Sequence, residues 1–462
     1  MQYRNHIADR ELEFRLESFG ATLIVGPKGC GKTTTAKQKA ASVVELQDED
    51  KRDNYLAVAA TQPSRLLEGP KPRLFDEWQD APKLWGAVRK SVDDEQKNGL
   101  YILTGSTSQE VDTPHTGTLR ISTLKMQPMS LFESGESEGS VSLKALFDDS
   151  TSYDGCTSKL SIDELIVAIC RGGWPHAINN TSLRSQLAVA KDLFRQTCFV
   201  DMSNIDGQKR NPRWAEAILR SYARNLCTLA ETKTIYRDVR ATTELSESTF
   251  YDYLEALEKL YIVEDVLAWC PAIRSKTAIR ASRKRNMVDP SVAVAALGLS
   301  PAYFNEDFKT LGFLFESLCM RDLKAYSSAL GGELSYYRDR YGLEADAVLH
   351  LDDGRYALVE FKLGESEIDE GAKHLLEIER LVSERNKKEE QVPLRLPDVK
   401  LVITATEYGY RREDGVCVVP IGFQFWSTGF LTCLYSWRRF ERALVTLSGV
   451  AFPFAIIFPT NE

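Results

Sequence analysis

Glycine recurs at positions 26, 29 and 31 in Gly26-Pro27-Lys28-Gly29-Cys30-Gly31-Lys32-Thr33, and the run closes on a lysine and a hydroxyl. Glycines at that spacing let successive backbone N–H groups turn inward on an anion, and a helix starting there adds its positive dipole end. Lys32 is then placed to reach the β- and γ-phosphates of a nucleoside triphosphate. The Thr33 hydroxyl, with Thr34 beside it, is placed to ligate Mg²⁺. The stretch from Gly26 to Thr34 is therefore expected to hold ATP. A glycine-rich structural turn is the competing reading.

A phosphate cradle alone hydrolyses nothing. In Arg73-Leu74-Phe75-Asp76-Glu77-Trp78-Gln79 an apolar step ends in two carboxylates. Asp76 fits an outer-sphere Mg²⁺ ligand, and Glu77 the base that orients an attacking water. Only Leu74 and Phe75 precede Asp76, so a solvated acidic loop is the alternative. Leu100-Tyr101-Ile102-Leu103-Thr104-Gly105-Ser106 ends on hydroxyls, and Thr104 or Ser106 is placed to sense the γ-phosphate. Arg120 is either an arginine finger or a plain surface charge.

A second group of chemistry-bearing residues lies far along the chain. Glu316 sits among Phe313, Leu314, Phe315 and Leu318 of a helical stretch. Strand-like 344–351 carries Asp346, the turn Asp352-Asp353-Gly354 follows, and strand-like 355–362 carries Glu360 and Lys362. With Gly354 left-handed, Leu351 pairs with Arg355, and counting back sets Asp346 opposite Glu360 with Lys362 on the same face. Like charges facing each other destabilise a hairpin unless something neutralises them. A divalent cation held by Asp346 and Glu360 would do so, with Lys362 polarising a phosphate or its water and Glu316 adding a ligand or hydrogen bond. A charged hairpin tip without catalysis is the alternative.

These residues need elements to hold them. Ala21-Thr22-Leu23-Ile24-Val25 is a short β-branched run typical of a buried parallel strand, and residues 33–44 read as the helix after the loop. Residues 134–158 are rich in Ser, Gly, Asp and Glu and read as a loop-rich boundary. Helical periodicity from 161 to 229, interrupted at Arg171-Gly172-Gly173-Trp174-Pro175, suggests a lid over the nucleotide, with Arg171 as a contact. Residues 233–290 read as helix, turn, helix and strand-like runs, a winged-helix pattern. Its second helix, 248–261, exposes Asp252, Glu255 and Glu258, which would repel phosphates. Arg274, Lys276, Arg280, Arg283, Lys284 and Arg285 form the better electrostatic candidate for DNA, against a solvated face or a contact with the nucleotide module.

The chain has 462 residues, a net charge of −8 and 43% hydrophobic residues, which fits a multidomain soluble protein with no global basic character. Its nine cysteines contain no C-x-x-C pair, so they read as reduced thiols rather than a zinc site or disulfide framework. The N-terminus lacks the apolar run of a signal peptide, and a cytoplasmic location is expected. Neither apolar part of the tail, 423–437 or 443–459, clearly reaches the length of a spanning helix. An atypical tail is the leading reading there, ahead of a membrane-associated hairpin or an extra packed element.

As a set, 26–33, Phe75-Asp76-Glu77-Trp78-Gln79, Leu103-Thr104-Gly105-Ser106, Arg171-Gly172-Gly173-Trp174-Pro175, Val288-Asp289-Pro290-Ser291, Phe315-Glu316-Ser317 and the pair Asp346…Glu360-Phe361-Lys362 resemble a group of prokaryotic proteins. These are AAA-type ATPases followed by a C-terminal domain of unknown function with a nuclease-like (PD-(D/E)xK-type) fold. The resemblance runs from about residue 12 to 422, and residues beyond it depart from the pattern. It implies an α/β chain with a P-loop NTPase domain (1–135), a linker (136–158) and a helical lid (159–230). A winged-helix-like domain (231–304) and a restriction-endonuclease-like α/β domain (305–422) follow, and the tail (423–462) stands outside the resemblance. The expected cofactors are ATP and Mg²⁺, and a homo-oligomer is plausible for the class. Two functions stay open: nucleotide state coupled to a DNA-binding or nuclease-like module, or a nucleotide-dependent switch that binds a protein partner and carries an inactive nuclease-like domain.

Overall fold

The computed structural model describes residues 3–105, 117–205, 207–272, 282–388 and 393–425. Ser106, Arg274, Lys276, Arg280 and the tail beyond 425 lie outside the described residues.

Five short strands form the N-terminal sheet: β1 (Ala21–Val25), β2 (Ser42–Glu45), β3 (Arg73–Asp76), β4 (Tyr101–Thr104) and β5 (Ile121–Lys125). All pairings are parallel, in the order β2-β3-β4-β1-β5. Sheets of this kind are covered on both faces, which explains why β4 is buried along its whole length. The loop after β1 opens the helix Lys32–Lys39. That helix is shorter than the periodicity predicts. The Ser42-Val43-Val44-Glu45 run leaves it to pair residue for residue with β3, a β-branched stretch gaining a sheet partner.

The boundary segment carries short elements of its own. Leu131–Ser134 is a short helix closed by a capping box between Ser130 and Glu133. Next come β6 (Val141–Ser142), the helix Leu143–Asp148 with buried Leu146 and Phe147, and β7 (Cys156–Thr157). Helices Ile162–Arg171, Leu183–Gln196 and Pro212–Arg224 then build a helical block. Helices Thr232–Arg240 and Glu247–Lys259 follow, and antiparallel bridges Val263↔Met287 and Val266↔Lys284 lie beyond them. The helix Glu247–Lys259 exposes Asp252 and Glu255 as its periodicity predicts, but Glu258, expected beside them, is half-buried.

The C-terminal sheet takes β7 together with β8 (Gly332–Arg338), β9 (Glu344–Leu351), β10 (Tyr356–Lys362), β11 (Val399–Thr404), β12 (Tyr408–Arg411) and β13 (Cys417–Pro420). Its order is β7-β12-β13-β11-β10-β9-β8. Alternation along β10 buries Ala357, Val359 and Phe361 in the core that includes helix Phe308–Ser328, while Tyr356 and Leu358 pack in the core of helix Ile368–Lys388. The described cysteines are free thiols, and Cys170, Cys227 and Cys319 are buried. Among the described residues no helix is long and apolar enough to cross a membrane.

Candidate nucleotide site and carboxylate hairpin

The loop after β1 has the backbone its glycines predict, with φ of +144° at Gly26, +79° at Gly29 and +110° at Gly31. Side chains seldom adopt those angles. Lys32 is buried, and its ammonium donates to the carbonyls of Gly26 and Pro27, both at 2.9 Å. The Thr33 hydroxyl donates to Asp76 Oδ1 at 2.7 Å, and Thr104 Oγ1 donates to the same oxygen at 2.5 Å. Thr104 also accepts from the Glu77 backbone N–H at 3.3 Å. Glu77 is left-handed at φ +55°, and Gln79 Nε2 donates to its carboxylate at 2.5 Å. Three chain segments far apart in sequence thus deliver Thr33, Asp76, Glu77 and Thr104 to one place.

A cavity of about 480 Å³ opens on Lys28, Gly29, Cys30, Gly31, Lys32, Thr33, Thr34 and Glu77. Its other walls are Tyr3, Arg4, His6, Gln38, Met129, Pro175, His176 and Asn179. Sequence reasoning missed these walls. Pro175, at the end of the glycine-rich lid motif, was the one signal for them; Tyr3 to His6 carry no motif. Burial pushes the Cys30 thiol up, so it stays protonated beneath the loop. Lys28 leaves the loop to pair with the buried Asp201 at 2.5 Å, tying the cradle to the turn after helix Leu183–Gln196. Of the two readings of Arg120, the structure supports the surface charge: it pairs with Asp93 at 2.8 Å and does not line the cavity. Arg171 is buried against Glu136 at 2.5 Å, so it braces the lid instead of contacting a nucleotide.

The hairpin has the predicted register. Leu351 N–H donates to the Arg355 carbonyl at 2.9 Å, and Gly354 is left-handed at φ +86°. The ladder runs Tyr356↔His350 to Val359↔Ala347, so Asp346 and Glu360 are the next pair along it. Lys362 Nζ holds Glu360 at 2.9 Å, with His374 Nδ1 at 3.5 Å on the other oxygen. Gly371 lets its helix come this close: a Cβ there would lie 3.0 Å from Lys362 Cε. Burial and the adjacent Asp346 push the Glu360 carboxyl upward.

The expected metal arrangement does not form around Asp346. Its centre is taken by Lys284, whose ammonium lies 2.8 Å from Glu316, 2.9 Å from Glu344 and 3.5 Å from Asp346. Among the described residues no group of three His, Cys, Asp or Glu side chains is arranged to hold a metal ion. Burial alone would lower the Lys284 pKa, but Glu316, Asp346 and Glu344 outweigh it and hold the ammonium well above its usual range. This also corrects the basic-patch reading. Lys284 is internal, and Arg285 is buried between Asp265, the Tyr222 hydroxyl and Thr232. Of the described basic residues in that run, Arg283 alone is exposed.

Residues 18–134 match the family model described as an AAA domain. With the P-loop geometry in hand, that decides the N-terminal unit. It is an AAA-type P-loop ATPase domain. Residues 162–303 match a domain of unknown function (DUF8612), and residues 311–423 match another (DUF4143). No curated protein matches the chain significantly. Similar solved structures include a Walker-type ATPase of Pyrococcus abyssi, 16% identical, with a TM-score of 0.38 over 62% of this chain and 94% of that one. Others are a RuvB variant of Thermotoga maritima (13%, TM-score 0.24, 56% and 86%) and a STAND protein with a tetratricopeptide repeat sensor from Pyrococcus horikoshii (13%, TM-score 0.21, 70% and 48%).

The ATPase domain is joined to the rest of the chain by buried polar contacts. Met129 N–H donates to the Gly173 carbonyl at 2.7 Å, and Gly173 N–H donates to Asp289 Oδ2 at 2.9 Å. A Cβ on Gly173 would lie 2.1 Å from the Met129 oxygen, so the approach requires glycine. Trp174 Nε1 donates to Ser291 Oγ at 2.9 Å. Asp289 pairs with Arg321 at 2.9 Å, Arg321 with Asp322 at 2.7 Å, and Asp322 accepts from Leu131 N–H at 2.9 Å.

A second joint is Glu264, held by Lys324 at 3.0 Å and by Lys125 at the end of β5. Burial opposes its charge, but the two lysines outweigh burial and keep the carboxyl at about 2. An acid with a depressed folded pKa stabilises above its unfolded value, about 4.3 for Glu, and loses that contribution as pH falls towards the folded value. Wild-type protein is therefore expected to lose more stability between about pH 5 and pH 2 than Glu264→Gln. Denaturant midpoints across that range check it; parallel pH curves would remove Glu264 from the acid response.

Proposed function

We propose that this chain is an ATP-hydrolysing switch, in which the nucleotide state of the ATPase domain sets the arrangement of the C-terminal domain. The carrying observation is the continuous buried path from the cavity wall at Pro175, through Gly173 and Trp174, to Asp289, Ser291 and Arg321. A change in how the lid sits over a nucleotide is passed to helix Phe308–Ser328 by groups in direct hydrogen bond or ion pair.

Lys32 and the inward N–H groups of the loop bind the phosphates, and Glu77, oriented by Gln79, positions the attacking water. Thr104 holds Asp76 in place and stands at the strand end where a γ-phosphate is sensed. The residues present fit Mg²⁺: Thr33 and Asp76 already share a hydrogen bond, and the ion, when bound, neutralises phosphate charge.

The switch reading is preferred over direct DNA engagement because Lys284 and Arg285 are internal and helix Glu247–Lys259 presents acids. The test is hydrogen exchange along 289–328 with and without a non-hydrolysable ATP analogue, beside ATP turnover with and without duplex DNA. Nucleotide-dependent protection in this segment is the expected result. Exchange indifferent to nucleotide would sink the coupling, and turnover stimulated by DNA would restore the DNA-coupled reading.

A further inference from the structure

Lysine is among the residues least often fully buried, and Lys284 is 1% exposed. It reaches the hairpin from the segment paired with Val266, outside the C-terminal sheet. Its ammonium donates to Glu316 Oε1 at 2.8 Å and to the Asp346 carbonyl at 3.2 Å, and it pairs with the Glu344 and Asp346 carboxylates at 2.9 and 3.5 Å. Glu344 has a further partner in Arg338 at 3.0 Å. Asp346 uses its other oxygen to accept from Phe361 N–H at 3.0 Å. Without the ammonium, Glu316 and Asp346 would face each other with no cation between them, a costly arrangement in a buried setting. Oxygen ligands from two carboxylates and a backbone carbonyl are also what a hard divalent cation takes.

We propose that the Lys284 ammonium is a built-in counter-ion that shuts the hairpin centre to divalent cations. The proposal rests on reading the Asp346–Glu360–Lys362 hairpin as a nuclease-like centre, and it makes Lys284 the residue that keeps that centre silent. A lysine supplies charge without open coordination positions, so it satisfies the carboxylates while denying a metal-bound phosphate or water any place to sit. Lys362 is left paired with Glu360.

The test is Mn²⁺ binding by the full-length chain without nucleotide, followed by the paramagnetic signal of free Mn²⁺. Wild type is expected to show no site that depends on Asp346. Lys284→Met is expected to gain one, with affinity raised on the order of 100-fold, the scale on which a buried charged partner acts. Lys284→Met combined with Asp346→Asn should lose it again. Cooperative melting and retained ATP turnover verify that the variants fold. If Lys284→Met does not fold, Lys284→Gln, which keeps a neutral donor in the same place, reads the same binding. Wild-type Mn²⁺ binding abolished by Asp346→Asn would overturn the counter-ion role and leave the hairpin reading standing. A folded Lys284 variant that binds no Mn²⁺ would overturn both.

Discussion

Lys32→Ala is expected to lower ATP turnover by on the order of 10²–10³-fold while leaving the fold intact. Removing one preorganised group that stabilises transferring phosphoryl charge has effects of this size. Among the described residues, the Lys32 ammonium hydrogen-bonds to the Gly26 and Pro27 carbonyls at 2.9 Å each and pairs with no carboxylate, so its loss strands no buried charge there. The same substitution should abolish nucleotide-dependent stabilisation. A ligand at 100 times its Kd raises folding stability by about 2.7 kcal/mol, and that gain should vanish in the variant. Turnover and melting with and without ATP measure both. A variant that hydrolyses ATP at the wild-type rate would show that the glycine loop is a structural turn.

The second large effect is expected at Arg321. Arg321→Met should destabilise the protein by about 3–5 kcal/mol, because it leaves Asp289 and Asp322 charged and buried without their cation. All three side chains are at most 2% exposed. Both aspartates also hold backbone N–H groups: Asp289 those of Gly173 and Ser291, Asp322 that of Leu131. Pairing Arg321→Met with Asp322→Asn should recover part of the loss, since one stranded charge is then neutral. Urea midpoints at neutral pH measure it. A single variant within 1 kcal/mol of wild type would remove this network as the joint between the domains.

What the sequence made legible follows from distance along the chain. The glycine loop, the Asp76-Glu77 step and the Asp352-Asp353-Gly354 hairpin are local, so spacing alone placed their backbone. Thr33, Asp76 and Thr104 met because β3, β4 and β1, neighbours in a parallel sheet, deliver their C-terminal ends to one edge. Lys284 is the opposite case. A cluster of basic residues reads the same whether it is solvated or driven into an acidic pocket, and its partners lie 32 and 62 positions away. Arg285 was misread for the same reason. Residues 42–44 were read as the end of the helix after the loop, and the β3 neighbour that claims them lies about thirty residues on.

The placement of β7 has a further consequence, for biogenesis. β12 would otherwise present an open edge of the C-terminal sheet, and an unpaired edge is a template for pairing with other chains. Cys156 and Thr157 cover it, pairing with Gly409 and Tyr408, and Ser158 N–H adds a bond to the Glu407 carbonyl at 2.6 Å. During synthesis this protecting piece emerges some 250 residues before the edge it protects. The sheet therefore cannot close until nearly all of the described chain is made, and such non-local pairing is slow. The helical block and the sheet are thus interleaved in assembly, and a fragment cut between β7 and β8 would carry either a cover with nothing to cover or an edge left bare.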